Sequence, residues 1–291
     1  MEIETVGVIG AGQMGNGIAQ VFAQAGFEVL LNDVSQAQLE DAEARITKNL
    51  DRQVGKGKMD GDEKARTLDR IQTTLDLSAL GPMDLVIEAA SERESIKNKI
   101  FADLQPHLGP HTLLTTNTSS ISITRLASLT DRPERFMGLH FMNPVPVMSL
   151  VELIRGIQTD AATFATMQNI VERLGKIATA SEDFPAFIVN RVLVPMINEA
   201  AYVLYEGIGN VTSIDTSMKL GANHPMGPLE LADFIRLDTC LAIMNVLHHG
   251  LSDTKYGPCP LLVKYVEAGW LGRKTGRGFY DYRGDTPVPT R

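Results

Sequence analysis

The chain has 291 residues and a mass of 31.8 kDa, enough for about two domains of ~100–200 residues each. Its composition, 44% hydrophobic and 21% charged residues, is typical of a soluble globular protein. A net charge of −8 argues against a general nucleic-acid surface, because such binding depends on cations that neutralise phosphates.

The first predicted elements, over residues 5–33, are a strand, a tight turn and a helix. An apolar run from Val6 to Ile9 is followed by GAGQMG at residues 10–15, and helical spacing of apolar residues continues to Ala25. The turn contributes the predicted dinucleotide contacts Gly10, Gly12, Gln13, Met14 and Gly15. Gly10 permits the turn, Gly12 lets a pyrophosphate approach the backbone, and Gly15 allows close packing of helix and strand. The free N–H groups at the helix start then favour phosphate.

The second predicted strand, residues 28–32, ends at Asp33. This acid lies 18 residues after Gly15, close to where a carboxylate accepts hydrogen bonds from the adenosine ribose. The same carboxylate repels a 2′-phosphate, and no Arg or Lys occurs in the next eleven residues. The sequence therefore predicts NAD as the cofactor, in preference to NADP.

The remainder of the first domain alternates strands with helices. The patterns predict helices over 35–54, 62–71, 94–104 and 160–174, and strands over 83–89, 112–116, 136–141, 149–154 and 177–180. Such alternation is typical of a doubly wound, mostly parallel α/β sheet of the Rossmann type.

The pattern changes at residues 183–185. From Phe187 onward it predicts helices over 188–205, 213–220, 231–249 and 260–268, and no strand. We therefore expect a dinucleotide-binding domain over residues 1–185 and a smaller, all-helical domain over 186–291.

The sequence disfavours three further classes of protein: those built on disulfides or a metal, those that span a membrane, and those that are secreted. The two cysteines, Cys240 and Cys259, lack a CxxC spacing, so neither a disulfide framework nor a metal site is indicated. The longest apolar stretch, residues 187–205, contains Arg and Glu and is a poor bilayer span. The initial MEIE lacks the parts of a secretory signal. We expect a cytoplasmic protein without a membrane partner.

The candidate chemistry lies after the strands, because ligands of open α/β sheets bind beyond the carboxyl ends of the strands. Asn117 and Ser119 follow the strand over 112–116, and His140 lies near the end of the strand over 136–141. Glu92, Lys97 and Asn117 are placed to contact the nicotinamide half of a cofactor.

His140 is the candidate base for a hydride-transfer reaction, since imidazole accepts a hydroxyl proton near neutral pH. Glu152, on the following strand, could hydrogen-bond the second ring nitrogen and fix the tautomer. A purely structural histidine is the alternative that the residues alone leave open. Arg52 and Lys56 follow Lys48 at four-residue spacing, which by itself favours an ordinary solvated helix face.

Several segments, in order over nearly the whole chain, resemble the short-chain L-3-hydroxyacyl-CoA dehydrogenase family, including its 3-hydroxybutyryl-CoA dehydrogenases. They are VGVIGAGQMGNGIAQVFAQAGFEV, IEAASERESIKNKIF, TNTSSISIT, ERFMGLHFMNPVPVMSLVELI, DFPAFIVNRVLVPMINEA and GWLGRKTGRGFYDY. The segments HFMNPVPVMSLVE and FIVNR are more specific than the glycine turn. The resemblance implies reversible NAD-dependent oxidation of a (S)-3-hydroxyacyl-CoA in a cleft between two domains, and a homodimer paired through the helical domain.

The resemblance also implies roles for single residues. His140 matches the catalytic base, Glu152 its acidic partner, and Ser119 the serine that hydrogen-bonds the 3-oxygen of the substrate. Asn190 matches an asparagine that fixes His140 and the thioester, and Asn143 lines the same pocket. Arg52 and Lys56 match basic residues that contact the coenzyme A part of the substrate. Glu92, Lys97 and Asn117 match residues that contact NAD.

Four alternatives remain at this stage. A related dehydrogenase could act on 3-hydroxyadipyl-CoA or on a 3-hydroxy acid without coenzyme A. A protein that binds NAD(H) without catalysis is a candidate from another class. The serines at 119 and 120 could suggest a hydrolase, but GxSxG is absent and hydrolysis requires no dinucleotide site.

Overall fold

The computed structural model describes residues 3–290. The chain divides into two compact units, Met1–Phe184 and Pro185–Arg291. No helix among the described residues combines the length and apolar character needed to cross a bilayer.

The first unit is built on one eight-stranded sheet. Its strands are β1 Thr5–Ile9, β2 Glu28–Asn32, β3 Ile71–Thr74, β4 Leu85–Glu88, β5 Leu113–Thr116, β6 Phe136–Phe141, β7 Leu150–Arg155 and β8 Ile177–Glu182. Its helices are α1 Gln13–Gln24, α2 Gln36–Gly55, α3 Gly61–Asp69, α4 Glu94–Leu104, α5 Ile123–Ala127 and α6 Ala161–Arg173. Short 3₁₀ turns occupy Leu77–Leu80, Gln105–His107 and Pro133–Arg135.

The strand order is β3-β2-β1-β4-β5-β6-β7-β8. The first six strands are mutually parallel, β7 runs antiparallel to β6, and β8 is parallel to β7. Strand order therefore reverses between β1 and β4, which is where open α/β sheets bind ligands. The predicted doubly wound, mostly parallel sheet is confirmed.

The core of the first unit follows from uninterrupted apolar strands. Val6, Val8 and Leu31 are buried in the sheet, and Ile18 and Phe22 cover them from α1. The ring of Phe22 meets that of Phe27 edge to face, with centroids 5.2 Å apart. This packing holds α1 against the sheet.

One prediction in this unit is wrong in detail, and two short elements were not predicted. The helix predicted to reach Ile71 ends at Asp69, and Ile71–Thr74 forms the edge strand β3 paired with β2. Four residues with two threonines give a weak sequence signal, and it is pairing with β2 that makes them a strand. The short helix α5 was also not predicted.

The second unit is mainly helical. Its elements are α7 Val189–Tyr205, α8 Val211–Gly221, α9 Pro228–Ile235, α10 Leu237–Leu251, α11 Pro260–Glu267 and the short strands β9 Tyr280–Asp281 and β10 Val288–Pro289. Short 3₁₀ turns occupy Thr254–Tyr256 and Arg273–Thr275. The antiparallel pair of β9 and β10 contradicts the prediction that this region contains no strand.

The single helix predicted over 231–249 is also wrong, because Arg236 has a φ of 98° and separates α9 from α10. The N–H of Leu237 donates to the Leu271 carbonyl, and the Arg236 guanidinium is held by Asp238. The apolar periodicity continues across this break, so it was not visible in the sequence.

Candidate active site

The glycine turn leaves room where a dinucleotide phosphate is expected. Gly10 has a φ of 97°, and a Cβ there would lie 2.5 Å from the Ala90 Cα. A Cβ on Gly15 would lie 1.7 Å from the Gly10 carbonyl oxygen, so α1 packs directly on the turn. A Cβ on Gly12 would meet no atom within 4 Å. Gly10 and Gly15 therefore serve packing, whereas Gly12 borders open space.

The start of α1 is suited to an anion. Gly12 is the N-cap without a side-chain cap, and the first turn contains no acid. The backbone N–H groups of Gln13, Met14 and Gly15 are thus the unpaired donors that a helix start offers to phosphate. Together with the open space at Gly12, this arrangement fits the pyrophosphate of NAD.

Asp33 lies just beyond β2 and is tied to the same turn. Its Oδ2 accepts a hydrogen bond from the Ala11 N–H at 2.8 Å, and its Oδ1 accepts from the Ser35 N–H at 3.0 Å. The carboxylate is half-buried, so it keeps access to solvent. It is therefore fixed at the edge of the glycine turn, where the ribose of a dinucleotide would lie.

His140 is held between an acid and a hydroxyl. Its Nδ1 lies 2.8 Å from the Glu152 Oε2, and its Nε2 lies 3.0 Å from the Ser119 Oγ. Both His140 and Glu152 are buried. Because ionised Glu152 can only accept, it requires the neutral imidazole to carry its proton on Nδ1. The Nε2 lone pair then faces Ser119 and is the position that can take up a proton.

The sheet explains why these two side chains meet. His140 and Glu152 are direct partners in the antiparallel register of β6 and β7. Directly opposed residues of antiparallel strands project to the same face. The intervening turn carries Asn143, whose side-chain oxygen accepts from the Gln13 amide at 3.0 Å, and the Asn143–Pro144 peptide bond is cis. The turn after His140 is thus joined to the start of α1.

Ser119 is positioned by Glu92. The Glu92 Oε1 accepts from the Ser119 N–H at 2.9 Å, and from the hydroxyls of Thr118 and Ser120, each at 2.8 Å. From its position in the sequence, Glu92 is predicted to contact the nicotinamide half of the cofactor. In the structure its described partners are on the loop that follows β5.

Asn117 and Lys97 contact other residues of the protein near the ends of β4, β5 and β6. The Asn117 side-chain oxygen accepts from the Phe141 N–H at 2.9 Å, which links β5 to the strand that carries His140. The Lys97 ammonium is buried and contacts Glu88, a residue that the sequence reasoning did not select. The contact expected between Lys97 and the cofactor stays a prediction. A charged residue at the end of an otherwise apolar strand is the signal by which Glu88 could have been found.

The remaining candidates lie on helices. Arg52 is in the last turn of α2 and Lys56 follows directly as its C-cap; both are exposed. Within residues 3–290 neither forms an ion pair, whereas Asp51 of the same turn is paired with Lys64. Asn190 is half-buried in the first turn of α7, in the second unit.

Two family models match the chain. The model for the 3-hydroxyacyl-CoA dehydrogenase NAD binding domain matches residues 5–184, and the model for the C-terminal domain of the same enzymes matches residues 187–282. The two matches together cover most of the chain, and they divide it close to the boundary between the two compact units.

Relatives match at full length. A 3-hydroxybutyryl-CoA dehydrogenase of Bradyrhizobium diazoefficiens is 66% identical over 289 residues, 99% of each chain. A probable 3-hydroxybutyryl-CoA dehydrogenase of Bacillus subtilis is 53% identical, covering 98% of this chain and 100% of that one. The crystal structure of (S)-3-hydroxybutyryl-CoA dehydrogenase from Ralstonia eutropha superposes with a TM-score of 0.95 at 49% identity, covering 97% of this chain and 100% of that one. The chain belongs to the 3-hydroxyacyl-CoA dehydrogenase family.

Proposed function

We propose that the protein catalyses the reversible NAD-dependent oxidation of (S)-3-hydroxybutyryl-CoA to acetoacetyl-CoA. The observation that carries the proposal is the chain of contacts from Ser119 through His140 to Glu152. Ser119 and His140 lie at the carboxyl ends of their strands, as does the glycine turn. The substrate itself is inferred from the names of the relatives that match at full length.

The proton is handled by His140. NAD, when bound, supplies the acceptor for the hydride that leaves the carbinol carbon. His140 Nε2 takes the hydroxyl proton, and Glu152 stabilises the imidazolium that forms, because a carboxylate against Nδ1 favours the charged ring. In the reverse direction the imidazolium returns the proton to the 3-oxygen.

Ser119 and Asn190 are proposed to hold the substrate oxygens. The Ser119 hydroxyl already lies against His140 Nε2, so a 3-oxygen at the same place could accept from Ser119 and exchange a proton with His140. Asn190 is a neutral donor suited to the thioester carbonyl. Asn143, joined to Gln13 at the start of α1, is proposed to line the same pocket.

Arg52 and Lys56 are proposed to bind the phosphates of coenzyme A. The chain carries a net charge of −8, so an anionic ligand needs a local group of cations. Two exposed cations without an ion-pair partner among the described residues satisfy this need at the end of α2.

The test is NADH consumption with acetoacetyl-CoA, measured for the unmodified chain and for His140→Gln. The unmodified chain should turn over the CoA ester much faster than free acetoacetate, and His140→Gln should lose nearly all turnover while still binding NADH. Turnover of free acetoacetate equal to that of the ester would favour a dehydrogenase without coenzyme A. In the forward direction, the rates of NAD⁺ reduction with (S)-3-hydroxybutyryl-CoA and with 3-hydroxyadipyl-CoA would show which acyl group is preferred.

The proposal extends to a cytoplasmic homodimer paired through the helical unit. That unit exposes large apolar side chains, with Leu220 82%, Ile208 71% and Val192 70% accessible. Contiguous apolar patches are typical of surfaces that a second subunit covers, and we propose that these side chains belong to such a patch. Sedimentation equilibrium should give about twice the monomer mass, and Leu220→Asp or Ile208→Asp should shift it toward the monomer.

A further inference from the structure

Asp183 caps the start of the short helix α5 from a distant part of the chain. Its Oδ2 accepts from the Ser122 hydroxyl and from the Thr124 N–H, each at 2.8 Å, and its Oδ1 accepts from the Ile123 N–H at 2.9 Å. Ser122 is itself the N-cap of α5 and accepts from the Arg125 N–H. The first three N–H groups of α5, which lack partners within the helix, are thus all paired, two of them with Asp183.

The helix α5 depends on such contacts for its position. It has only five residues, Ile123–Ala127, and isolated helices of this length are unstable in water. Its apolar side chains pack on the sheet, where a Cβ on Gly138 of β6 would lie 2.9 Å from the Ile123 Cδ1. A carboxylate at its start is favourable, because the helix dipole is positive there. Packing therefore sets which face of α5 is buried, and Asp183 sets where the helix begins.

Asp183 is itself fixed to the sheet. It directly follows β8, and its N–H donates to the Arg155 carbonyl at 3.0 Å. Arg155 is the last residue of β7, the strand that also carries Glu152. The carboxylate of Asp183 is therefore anchored to the same pair of strands that positions the acidic partner of His140.

The loop over residues 117–122 carries Ser119 and ends at the groups that Asp183 binds. Before Ser122, the loop is held by Glu92, which accepts from the Ser119 N–H at 2.9 Å. Ser122 comes three residues after Ser119, and its hydroxyl donates to Asp183. Two carboxylates therefore hold this loop, one at Ser119 itself and one at the exit into α5.

The Ser119 hydroxyl has to be placed accurately. It lies 3.0 Å from the His140 Nε2, where the 3-oxygen of the substrate is proposed to bind. A displacement of about 1 Å in such a group lowers turnover by as much as 10²-fold. Because so few residues link Ser119 to α5, a shift in the start of the helix also moves Ser119.

We propose that Asp183 is a positioning residue for the reaction: it fixes the start of α5 and thereby holds the Ser119 hydroxyl against His140. Asp183 acts on the substrate only through Ser119. The proposal rests on the proposed function in taking Ser119 as the residue that binds the 3-oxygen.

A double-mutant cycle tests whether Asp183 acts through Ser119. The variants are Asp183→Asn, Ser119→Ala and the two combined. Asn keeps the size of the side chain, but its amide nitrogen cannot accept, so at least one donor at the start of α5 loses its partner. The readouts are kcat and KM with acetoacetyl-CoA, the NADH dissociation constant and the melting temperature.

Asp183→Asn should lower kcat/KM roughly 10 to 100-fold and leave the NADH dissociation constant close to native. In the Ser119→Ala background the same substitution should lower kcat/KM by less than about threefold, because the hydroxyl that it positions is absent. If Asp183 only stabilises the fold, the two losses multiply, and the proposal is overturned. Native turnover in a folded Asp183→Asn variant would overturn it equally. If this variant does not fold, Ser122→Ala, which removes one of the three hydrogen bonds, replaces it in the cycle.

Asp160 provides the matched control, because it caps α6 of the same unit and accepts from the Thr163 N–H at 2.6 Å. Asp160→Asn should lower the melting temperature and leave kcat/KM within about twofold of native. Equal losses of kcat/KM from Asp160→Asn and Asp183→Asn would show that the loss of any helix cap lowers turnover, contrary to the proposal.

Amide hydrogen exchange gives a readout that does not depend on activity. Asp183→Asn should accelerate exchange over residues 119–124, and Asp160→Asn should not. Unchanged exchange over this segment in Asp183→Asn would show that the carboxylate does not hold the loop. Failure of the proposed function is separately visible, as a native chain that binds NADH but turns over no CoA ester.

Discussion

His140 and Glu152 face each other across two antiparallel strands, with Nδ1 2.8 Å from Oε2, although their positions in the chain differ by 12. The other ring nitrogen lies 3.0 Å from the Ser119 hydroxyl. This relationship turns an isolated histidine into a candidate base with a defined tautomer. It also determines which substitutions should affect the chemical step alone.

Glu152→Gln should reduce kcat by roughly 10² to 10⁴-fold, because the amide keeps the size of the side chain but removes the charge that stabilises the imidazolium. The KM for acetoacetyl-CoA should change little, since Glu152 is buried behind His140. Steady-state NADH consumption gives both constants, and a melting curve confirms that the variant folds. Native turnover in a folded Glu152→Gln variant would contradict the role of this pair.

Ser119→Ala should reduce kcat/KM by roughly 10² to 10³-fold, because it removes a donor from the place where charge develops on the 3-oxygen. NADH binding should stay close to native, since the Ser119 backbone contact with Glu92 is kept. Ser128→Ala is a suitable control, as its exposed hydroxyl donates only to the Arg125 carbonyl among the described groups. Equal effects of the two substitutions would count against Ser119 as a substrate contact.

Asp33→Asn should weaken NADH binding by about tenfold and reduce the preference for NADH over NADPH, because it removes the charge that binds the ribose and repels a 2′-phosphate. Titrations with both cofactors measure the change. Asp33 also accepts from the Ala11 N–H, so the melting temperature must be recorded with the affinities. Undiminished discrimination against NADPH in this variant would refute the assignment.

Lys56→Ala and Arg52→Ala should each raise the KM for acetoacetyl-CoA by about three to tenfold at low salt, with kcat nearly unchanged. Acetoacetyl-pantetheine lacks the phosphates that these cations would bind, so its KM should not respond. Arg45→Ala serves as the control, because this exposed arginine lies on the same helix and is paired with Asp41. Comparable losses with the two thioesters would show that the cations do not bind the phosphates.

Asp233 should make the stability of the helical unit pH-dependent. Burial is the main cause that raises its pKa from 3.8 to about 6, against the lowering effect of hydrogen bonds from Phe279, Tyr280 and Tyr282; nearby Asp215 raises it further. The folded state therefore binds a proton more tightly than the unfolded state. The proton on Asp233 therefore stabilises the folded state. This stabilisation is complete below about pH 4 and is lost as the pH rises through 6, which lowers the free energy of unfolding by roughly 2 to 3 kcal/mol.

Asp233→Asn removes this titration. The melting temperature of the native chain minus that of Asp233→Asn should therefore increase as the pH falls from 7 to 4.5. The absolute stability of the variant should be lower at every pH, because an amide cannot accept from both the Phe279 and Tyr280 N–H groups as the carboxylate does. A difference that is constant over this pH range would show that Asp233 does not titrate there.

Much of the fold was predictable because its signals are local. Short apolar runs predict the strands β1 and β4. The helical spacing of Leu39, Ile46 and Leu50, which are all buried, predicts the amphipathic helix α2. The elements that were missed lack such a signal. Thr73 and Thr74 become a strand only by pairing with β2, and the break at Arg236 lies inside a continuous apolar pattern.

The sequence by itself determined the glycine turn, the acid at the end of β2 and the residue types needed for hydride transfer, because these depend on local spacing and on side-chain chemistry. Only the tertiary structure decided which groups meet: that His140 opposes Glu152, that Glu92 holds the Ser119 loop, and that Lys97 turns inward to Glu88. Contacts between side chains on different strands depend on register and packing, which are properties of the folded sheet and not of any one segment.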